Sequence, residues 1–340
     1  MLHILLIPSW YPTEEHPFGG IFFREQALAL QKAGHRVGVL VQPALLSKRK
    51  LLRTRKLSDM STEHTIEEDQ GLPTYRTSQI AWFPGFLPWN NAQLIVNAGI
   101  RTFEQYCHDQ GPPDVLHAYS ILYGGFLASR IGKRWSLPTL VTEHSSRILI
   151  DNLRSEQRKI IRLTLSEIDK ALAVSTPLAE ALENHLVGCQ VDIVENMVDT
   201  EFFTPGDEKP PEDEFIICTI AGLEPKKGID ILVQAFSSTF KGDPVRLRIV
   251  GDGSQRSALE EQVHGSGIAA QVEFHGRLTR KGVREALRQS HALVSASLVE
   301  TFGISLIEAL SCGKPVVATR SGGPQAIINK DNGILVPVSY

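Results

Sequence analysis

Residues 297–319 decide the fold, and they read Ser297-Leu-Val-Glu300-Thr-Phe-Gly303-Ile-Ser-Leu-Ile-Glu308-Ala-Leu-Ser-Cys-Gly313-Lys-Pro-Val-Val-Ala-Thr319. The apolar positions after Gly303 recur with the period of an α-helix and lie on one broad face. Gly313 ends this helix, and the run Pro-Val-Val-Ala begins a buried strand. Another apolar run, at residues 291–296, comes directly before the stretch. The stretch therefore predicts the end of a strand, a loop, a helix, a turn and a second strand.

The same alternation of short apolar strands and helical patterns continues along almost the whole chain. Strands are predicted at residues 3–7, 36–41, 115–118, 139–142, 170–174, 191–194, 216–220, 246–250, 272–275, 292–295, 315–318 and 333–336. Such alternation is typical of α/β proteins with parallel sheets and helices on both faces. A polar, Pro-rich and acidic segment at residues 204–214 separates two halves. We predict two doubly wound Rossmann-like domains, residues 1–206 and 207–340, with ligands in a cleft at the carboxyl ends of their strands.

Composition restricts the class of function. The net charge of −3 gives no positive field that would attract nucleic acid. Four scattered cysteines without a Cys-x2-Cys pair favour free thiols in a reducing compartment, namely Cys107, Cys189, Cys218 and Cys312. The first strand has no basic leader before it, and no apolar run approaches the roughly 20 residues that span a bilayer. We expect a cytoplasmic protein.

Two glutamates are the candidate ligand-binding residues of the stretch 297–319. Glu300 precedes the helix, and Glu308 lies about 7.5 Å along it from Gly303, at about 1.5 Å of rise per residue. One carboxylate can therefore bind the hydroxyls of a sugar while the other binds the ribose of a nucleotide. The unpaired N–H groups at the helix N-terminus between them suit a diphosphate. The sequence contains no Asp-x-Asp for a divalent metal, so fixed cations and helix dipoles are expected to replace one.

This pair, with Phe-Gly after the first glutamate and Gly-x-Pro-Val-Val-Ala-Thr after the second, resembles the retaining glycosyltransferases of the GT-B fold, family four. The segment Ala221-Gly222-Leu-Glu-Pro-Lys-Lys227-Gly resembles the family's Gly-Arg-Leu-x-x-x-Lys-Gly pattern, with Gly222 in place of the arginine. The resemblance implies transfer of a sugar from a UDP- or GDP-sugar to a hydroxyl acceptor, with retention and without metal or cofactor. The acceptor would be a glycan or a lipid-linked glycan in polysaccharide biosynthesis.

The resemblance also assigns roles to residues. Glu308 would bind the ribose, Glu300 the transferred sugar, and Lys227 the diphosphate. His144, which follows an apolar strand, would contact the sugar from the other domain, and His144, Glu300 and Lys227 are the predicted catalytic residues. The remaining predicted donor-binding residues are Gly19, Gly20, Gly222, Gly276, Arg277, Leu278, Phe302, Gly303, Ile304 and Ser305. His16 and His117 are weaker candidates, because the second histidine of the family's His-x-His is Tyr119 here.

Several alternatives stay open from the sequence. Gly251-Asp-Gly253 is half of a dinucleotide fingerprint, which would suit an NAD-dependent oxidoreductase, although position 256 is arginine where a third glycine is needed. The missing cation at Gly222 would suit a catalytically inactive sugar-nucleotide sensor, unless Lys226 or Arg277 replaces it. The family also carries further helices after the strand at residues 333–336, and the chain ends at Tyr340 without them.

One segment is strongly basic although the net charge of the chain is only −3. It has six cations among nine residues: Lys48, Arg49, Lys50, Arg53, Arg55 and Lys56. Trp82 and Trp89 follow within the same predicted domain. Cations beside aromatic rings suit anionic lipid headgroups, each cation contributing about 1 kcal/mol near the surface. The cluster predicts peripheral binding to the inner face of a membrane, and an ordinary solvated loop is the alternative.

Overall fold

The structure is a computed structural model that describes residues 1–47, 64–81, 88–184, 190–207 and 210–338. The chain forms two compact units. The first consists of Met1–Val174 and Leu178–Val194, and the second of Ser175–Pro177 and Glu195–Tyr340. Each unit is a sheet flanked by helices, so the predicted mixed α/β class with parallel sheets is confirmed.

The first unit has one sheet of nine strands. Its strands are β1 (His3–Pro8), β2 (Arg36–Leu40), β3 (Ala44–Ser47), β4 (His64–Asp69), β5 (Leu72–Ala81), β6 (Val115–Tyr119), β7 (Thr139–Glu143), β8 (Lys170–Ala173) and β9 (Val191–Ile193). The order is β3-β5-β2-β1-β6-β7-β8-β9, and β4 pairs with β5. All pairs are parallel except β4 with β5. Every residue of β1 is buried, as expected of a central parallel strand covered on both faces.

The described helices of the first unit are α1 (Ile21–Lys32), α2 (Pro88–Gln110), α3 (Phe126–Trp135), α4 (Ser146–Leu149), α5 (Ser155–Leu165) and α6 (Thr176–Glu183), of which the last belongs to this unit from Leu178 onward. A π-helical turn at Ile121–Gly125 precedes α3. The sheet reverses its strand order between β1 and β6, because the chain adds strands outward through β2 and then returns to the other side of β1. The carboxyl ends of these two strands therefore form the crevice in which ligands of doubly wound sheets bind.

The second unit has a six-stranded parallel sheet in the order β12-β11-β10-β13-β14-β15. The strands are β10 (Phe215–Ile220), β11 (Val245–Val250), β12 (Val272–Gly276), β13 (Ala292–Ser295), β14 (Val316–Thr319) and β15 (Gly333–Val336). The helices are α7 (Ile229–Phe240), α8 (Arg256–Gly265), α9 (Arg280–Arg288), α10 (Ile304–Ser311) and α11 (Pro324–Ile327). The strand order reverses between β10 and β13, so the second ligand crevice lies at the carboxyl ends of these strands.

All the predicted strands are present, with ends within one residue of the predicted ones. The sequence patterns missed β3, β4 and β5. Strand β4 is exposed over nearly its whole length and pairs with β5 as an antiparallel hairpin through a turn at Gln70 and Gly71. An exposed strand carries no apolar run, so the hydrophobic pattern could not reveal β4, whereas β5 is buried at Leu72, Thr74 and Tyr75.

Residues 195–206 belong to the second unit, whereas the sequence-based division after residue 206 placed them in the first. Phe203 is fully buried in the core of the second unit beside Leu306 and Cys312. Arg288 donates a hydrogen bond to the carbonyl of Thr204 at 2.8 Å. Packing therefore decides where the second unit begins, and the polar composition of residues 204–214 marks only the exposed part of the connection.

Candidate functional site

The crevice of the second unit brings together two residues that lie far apart in the sequence. Lys227 follows β10, Glu300 follows β13, and these strands are neighbours at the reversal of strand order. The Lys227 Nζ atom donates to Glu300 Oε2 at 2.5 Å. Both side chains are largely buried, with 21% and 16% of their surface exposed. A lysine and a carboxylate therefore share one partly desolvated position at the edge where a ligand of this fold binds.

The loop that carries Lys227 is fixed by a close backbone approach. Pro225–Lys227 form a single 3₁₀ turn, and Gly228 follows in the left-handed conformation with φ 58°. A Cβ atom at Gly228 would lie 2.3 Å from the carbonyl oxygen of Ala296. The amide of Leu298 donates to the carbonyl of Lys226 at 2.8 Å. Glycine is therefore required at position 228 both for its φ and for the contact between the two loops.

Glu300 is held by the loop that follows β14, which the sequence patterns did not single out. The amide of Glu300 donates to the Ser321 carbonyl at 2.9 Å, and the amide of Gly323 donates to the Glu300 carbonyl at 2.8 Å. A Cβ atom at Gly323 would lie 2.3 Å from the Cα of Phe302. The Gly-Gly-Pro sequence after an apolar strand was the available signal, since paired glycines at a strand end allow such a close approach.

Helix α10 begins directly beyond Glu300, as predicted, and its N-terminus has no side-chain cap. Gly303 is the N-cap residue at φ 109°, and it forms no side-chain cap hydrogen bond. The leading amides of a helix have no intrahelical acceptor, so those of Ile304 and Ser305 suit an anion. Glu308 is half-buried within the same helix. The predicted residues Phe302, Gly303, Ile304 and Ser305 thus adjoin the Lys227–Glu300 pair.

The other predicted donor-binding residues of the second unit lie around this edge with different roles. Gly222 is exposed, and the nearest atom to a Cβ built there is the Asp252 carbonyl oxygen at 4.0 Å, so the position has room for a side chain. Gly276 ends β12 at φ 65°, and its carbonyl accepts from the Gly251 amide at 2.8 Å. Arg277 is exposed, and Leu278 packs partly into the core of the second unit.

The Gly251-Asp-Gly253 turn has a structural explanation. A Cβ atom at Gly251 would lie 1.8 Å from the Ala221 carbonyl oxygen, and one at Gly253 would lie 2.5 Å from that of Leu223. Both glycines are therefore needed for the turn to pack beneath the Gly222 loop. Arg256, at the place of the third glycine, pairs with Glu260 at 2.9 Å. Nothing in this turn requires a dinucleotide.

His144 lies at the carboxyl end of β7 in the first unit, in an apolar environment. Its ring contacts Phe22, Phe23 and Tyr119 at centroid distances of 5.4, 4.9 and 5.6 Å. Only 7% of the residue is exposed, and its Nε2 atom has no hydrogen-bond partner among the described residues. Burial, with a smaller contribution from His117, lowers the pKa of His144 to about 3. The imidazole is therefore neutral at physiological pH and can exchange a hydrogen bond with a ligand.

Of the two weaker histidine candidates, His117 is hydrogen-bonded within the protein and His16 is exposed. His117 Nε2 lies 2.8 Å from Thr142 Oγ1, and burial lowers the pKa of His117 to about 4. His16 is exposed in the first loop.

Glu143, which precedes His144, is a structural residue that the sequence analysis did not single out. Its buried carboxylate accepts hydrogen bonds from the amides of Ile121, His144 and Ser145 at 2.8, 2.9 and 2.6 Å, so it fixes the loops after β6 and β7.

Gly19 and Gly20 precede helix α1 as predicted. Gly20 is buried at φ 72° and is the N-cap residue of α1. A Cβ atom there would lie 2.6 Å from the Trp10 carbonyl oxygen. The first loop is thus folded closely onto Trp10, which explains the second glycine; a role of either glycine in binding the donor stays a prediction.

The predicted membrane-binding residues fall mostly outside the described parts of the chain: Lys48, Arg49, Lys50, Arg53, Arg55, Lys56 and Trp82. Trp89 is described, and its ring packs against Phe126 at 6.0 Å with the Lys159 ammonium 5.0 Å from its centroid. Within the described ranges, no helix is long and apolar enough to cross a membrane. In those same ranges, no group of three His, Cys, Asp or Glu side chains is arranged to hold a metal ion.

Comparison with known proteins assigns both units to one kind of protein. The family described as glycosyl transferases group 1 matches residues 201–339, and the family described as glycosyl transferase 4-like domain matches residues 19–196. The chain is 27% identical to the gpi3 subunit of phosphatidylinositol N-acetylglucosaminyltransferase from Schizosaccharomyces pombe, over 78% of its own length and 54% of that protein. The chain spans about half the length of several curated relatives that it matches, including this one.

Two solved structures have a similar fold at low sequence identity. Sucrose-phosphate synthase of Thermosynechococcus elongatus is 21% identical with a TM-score of 0.76, and the match covers 99% of this chain and 86% of that one. HepE of Anabaena, solved with UDP and glucose, is 17% identical with a TM-score of 0.71, covering 98% and 86% of the two chains. These likenesses support the GT-B architecture that the sequence motifs predicted.

Proposed function

We propose a donor and a mechanism for this chain, which belongs to the group 1 glycosyltransferases, the family-four enzymes of the GT-B fold. The proposed reaction moves a sugar from a UDP- or GDP-sugar to a hydroxyl group of an acceptor, with retention of anomeric configuration and without a metal. The observation that carries the proposal is the contact between Lys227 and Glu300 at the reversal of strand order.

The diphosphate of the donor would lie between Lys227 and the N-terminus of α10. In this structure the carboxylate of Glu300 balances the lysine charge. An incoming diphosphate would compete with Glu300 for the ammonium group and would also accept hydrogen bonds from the amides of Ile304 and Ser305. Glu300 would then be able to accept hydrogen bonds from the hydroxyls of the transferred sugar. Glu308, half-buried in α10, would bind the ribose.

The proposed chemistry needs no nucleophilic side chain. As the bond between the sugar and the diphosphate breaks, negative charge grows on the leaving phosphate, where Lys227 and the helix dipole stabilise it. The departing phosphate would take the proton of the acceptor hydroxyl on the same face of the sugar, which retains the configuration. His144, neutral because of its burial, would orient a sugar hydroxyl and would not act as an acid.

The acceptor would be a glycan or a lipid-linked glycan at the inner face of a membrane. The Schizosaccharomyces relative acts, by its name, on phosphatidylinositol, a lipid, and the Anabaena structure holds UDP, so a UDP-sugar and a membrane-bound acceptor are the first to test. An inactive sensor is less favoured, because the lysine, both glutamates and the uncapped helix are all present.

The test combines a donor screen with a lysine variant. Transfer or slow donor hydrolysis with UDP- and GDP-sugars should survive a chelator, while Lys227→Gln should reduce turnover by about 10²–10³-fold, the usual effect of losing one group that stabilises transition-state charge. Lys330→Gln, at an exposed lysine of the same unit, is the matched control. Activity that disappears with chelator and returns with manganese, or a Lys227→Gln variant as active as the control, would contradict the proposal.

A further inference from the structure

The hairpin of β4 and β5 packs against the loop that follows β1. Arg76, in β5, donates a hydrogen bond from a terminal guanidinium nitrogen to the Pro12 carbonyl at 2.6 Å. The same guanidinium group lies 5.4 Å from the centroid of the Tyr11 ring. Its Nε atom donates to Glu67 in β4 at 2.8 Å. One side chain of the hairpin therefore contacts two consecutive residues of the first loop.

The tip of the hairpin is also fixed to helix α1. Asp69, the last residue of β4, pairs with Arg24 at 3.4 Å. The Gly71 carbonyl in the turn accepts a hydrogen bond from the side chain of Gln31 at 3.0 Å. Arg24 and Gln31 are separated by about two helical turns, so both lie on one face of α1. The hairpin thus contacts both the first loop and the helix that follows this loop.

The contact between the hairpin and the loop is largely shielded from solvent. Only 4% of Tyr11 is exposed, Pro12 is buried, and the Arg76 side chain is 21% exposed. Burial and the negative charge of Asp69 raise the pKa of the Tyr11 hydroxyl, while Arg24 and Arg76 oppose this effect. Hydrogen bonds from a charged donor are strong, and a buried carbonyl that loses its donor destabilises the conformation that buries it.

The first loop leads to residues of the proposed site. It ends at Gly19 and Gly20, the predicted donor-binding glycines, and Gly20 lies closely against the Trp10 carbonyl. The ring of Trp10 contacts Phe23 at a centroid distance of 5.2 Å, and Phe23 contacts His144 at 4.9 Å. A displacement of this loop would therefore change the position of the two glycines and the packing around the predicted catalytic histidine.

We propose that Arg76 is a positioning residue for glycosyl transfer, because it holds the loop after β1 in the conformation that the transferred sugar requires. Arg76 contacts neither donor nor acceptor and acts through Pro12 and Tyr11. The inference rests on the proposed function, since the loop and His144 affect the rate only if they contact the sugar. Arginine suits this role, because its planar group can donate to Glu67 and to the Pro12 carbonyl while it lies against an aromatic ring.

Steady-state kinetics of the full chain test this role. Arg76→Gln should lower kcat by about tenfold or more, because a shift of about 1 Å at a reacting centre can reduce the rate about 10²-fold. The affinity for free UDP or GDP, measured by calorimetric titration, should stay within about twofold of the wild type, because the proposed nucleotide site is in the second unit. Arg76→Lys keeps the positive charge and can keep one of the two hydrogen bonds, so it should recover part of the lost rate.

Glu67→Gln is the matched control. The glutamine can still accept the hydrogen bond from Arg76, and the contact with Pro12 is unchanged, so kcat should equal that of the wild type. Urea unfolding followed by tryptophan fluorescence checks that the first unit of each variant is folded under the assay conditions. If Arg76→Gln does not fold, Arg76→Lys replaces it, and its kcat should still be lower than that of Glu67→Gln.

Hydrogen exchange reports the conformation of the loop independently of activity. The amides of residues 10–20, among them the Gly19 amide that donates to the His16 carbonyl at 3.1 Å, should exchange at least about tenfold faster in Arg76→Gln than in Glu67→Gln. A wild type without transfer activity counts against the proposed function, and the exchange rates then decide whether Arg76 holds the loop. Equal kcat values in the Arg76 variants and the control, or equal exchange rates in the loop, overturn the positioning role.

Discussion

Replacing His144 by phenylalanine should make the first unit less sensitive to acid, and it should reduce transfer because the ring orients a sugar hydroxyl in the proposed mechanism. The unfolded chain has the ordinary histidine pKa of 6.5, and burial lowers the folded value to about 3. Between these values the unfolded chain binds more protons than the folded one, so the free energy of unfolding falls as the pH falls. From pH 7 to pH 5 the loss is about 2 kcal/mol for each such histidine.

The loss of unfolding free energy between pH 7 and pH 5 can be divided between His144 and His117. His117 has a folded pKa of about 4 and contributes a similar loss of about 2 kcal/mol over the same interval. The wild type should therefore lose about 4 kcal/mol from these two groups, and His144→Phe only about 2 kcal/mol. At pH 7 the variant should also be more stable by about 1–3 kcal/mol, because it removes a buried nitrogen that has no hydrogen-bond partner among the described residues.

Urea unfolding followed by tryptophan fluorescence measures this directly. All four tryptophans of the sequence lie in the first unit, so the signal reports the unit that contains both histidines: Trp10, Trp82, Trp89 and Trp135. His16→Phe is the control, since His16 is exposed and its replacement should leave the difference between pH 7 and pH 5 unchanged. Equal losses in wild type and His144→Phe would refute the reasoning, because they would mean that His144 is not buried as a neutral ring.

Three further changes test other parts of the molecule. Glu308→Gln should weaken the binding of free UDP or GDP by about 1.5–3 kcal/mol, the value of a hydrogen bond to a charged group. Glu300→Gln should reduce transfer without weakening nucleotide binding, because it removes the carboxylate that competes with the diphosphate for Lys227. Calorimetric titration distinguishes the two, and equal affinities in Glu308→Gln and wild type would exclude its ribose role. Gly228→Ala should destabilise the second unit by about 2–5 kcal/mol, because position 228 has a left-handed φ and the added Cβ clashes with Ala296. The control in scanning calorimetry is Gly242→Ala, where φ is also left-handed but no atom lies within 4 Å of the added Cβ, so only the backbone strain should lower stability. Equal losses of stability in the two variants would show that the clash at Gly228 is relieved. The basic cluster consists of Lys48, Arg49, Lys50, Arg53, Arg55 and Lys56. Changing all six residues to Gln should release the protein from anionic vesicles at low salt without affecting donor hydrolysis. Co-sedimentation of the wild type that needs no anionic lipid would identify the cluster as a solvated segment.

The sequence by itself determined the fold class and indicated the main residues of the proposed donor site. Parallel strands covered on both faces are apolar throughout, so their apolar runs can be recognised in the sequence alone. The predicted strand ends lie within one residue of those in the structure. The residues of the stretch 297–319 are local to one strand, loop and helix, so their spacing alone placed Glu300 before an uncapped helix and Glu308 within it.

Only the tertiary structure decided what depends on contacts between distant segments. The pairing of Lys227 with Glu300 spans 73 residues and arises because β10 and β13 are neighbours in space. Three further features left no apolar period to detect: the backbone hydrogen bonds between Glu300 and the loop after β14, the exposed strand β4, and the start of the second unit at Glu195. The neutral state of His144 follows from the apolar side chains that surround it. Local patterns determine elements because they depend on neighbours in sequence, whereas burial, charge pairing and cavities depend on neighbours in space.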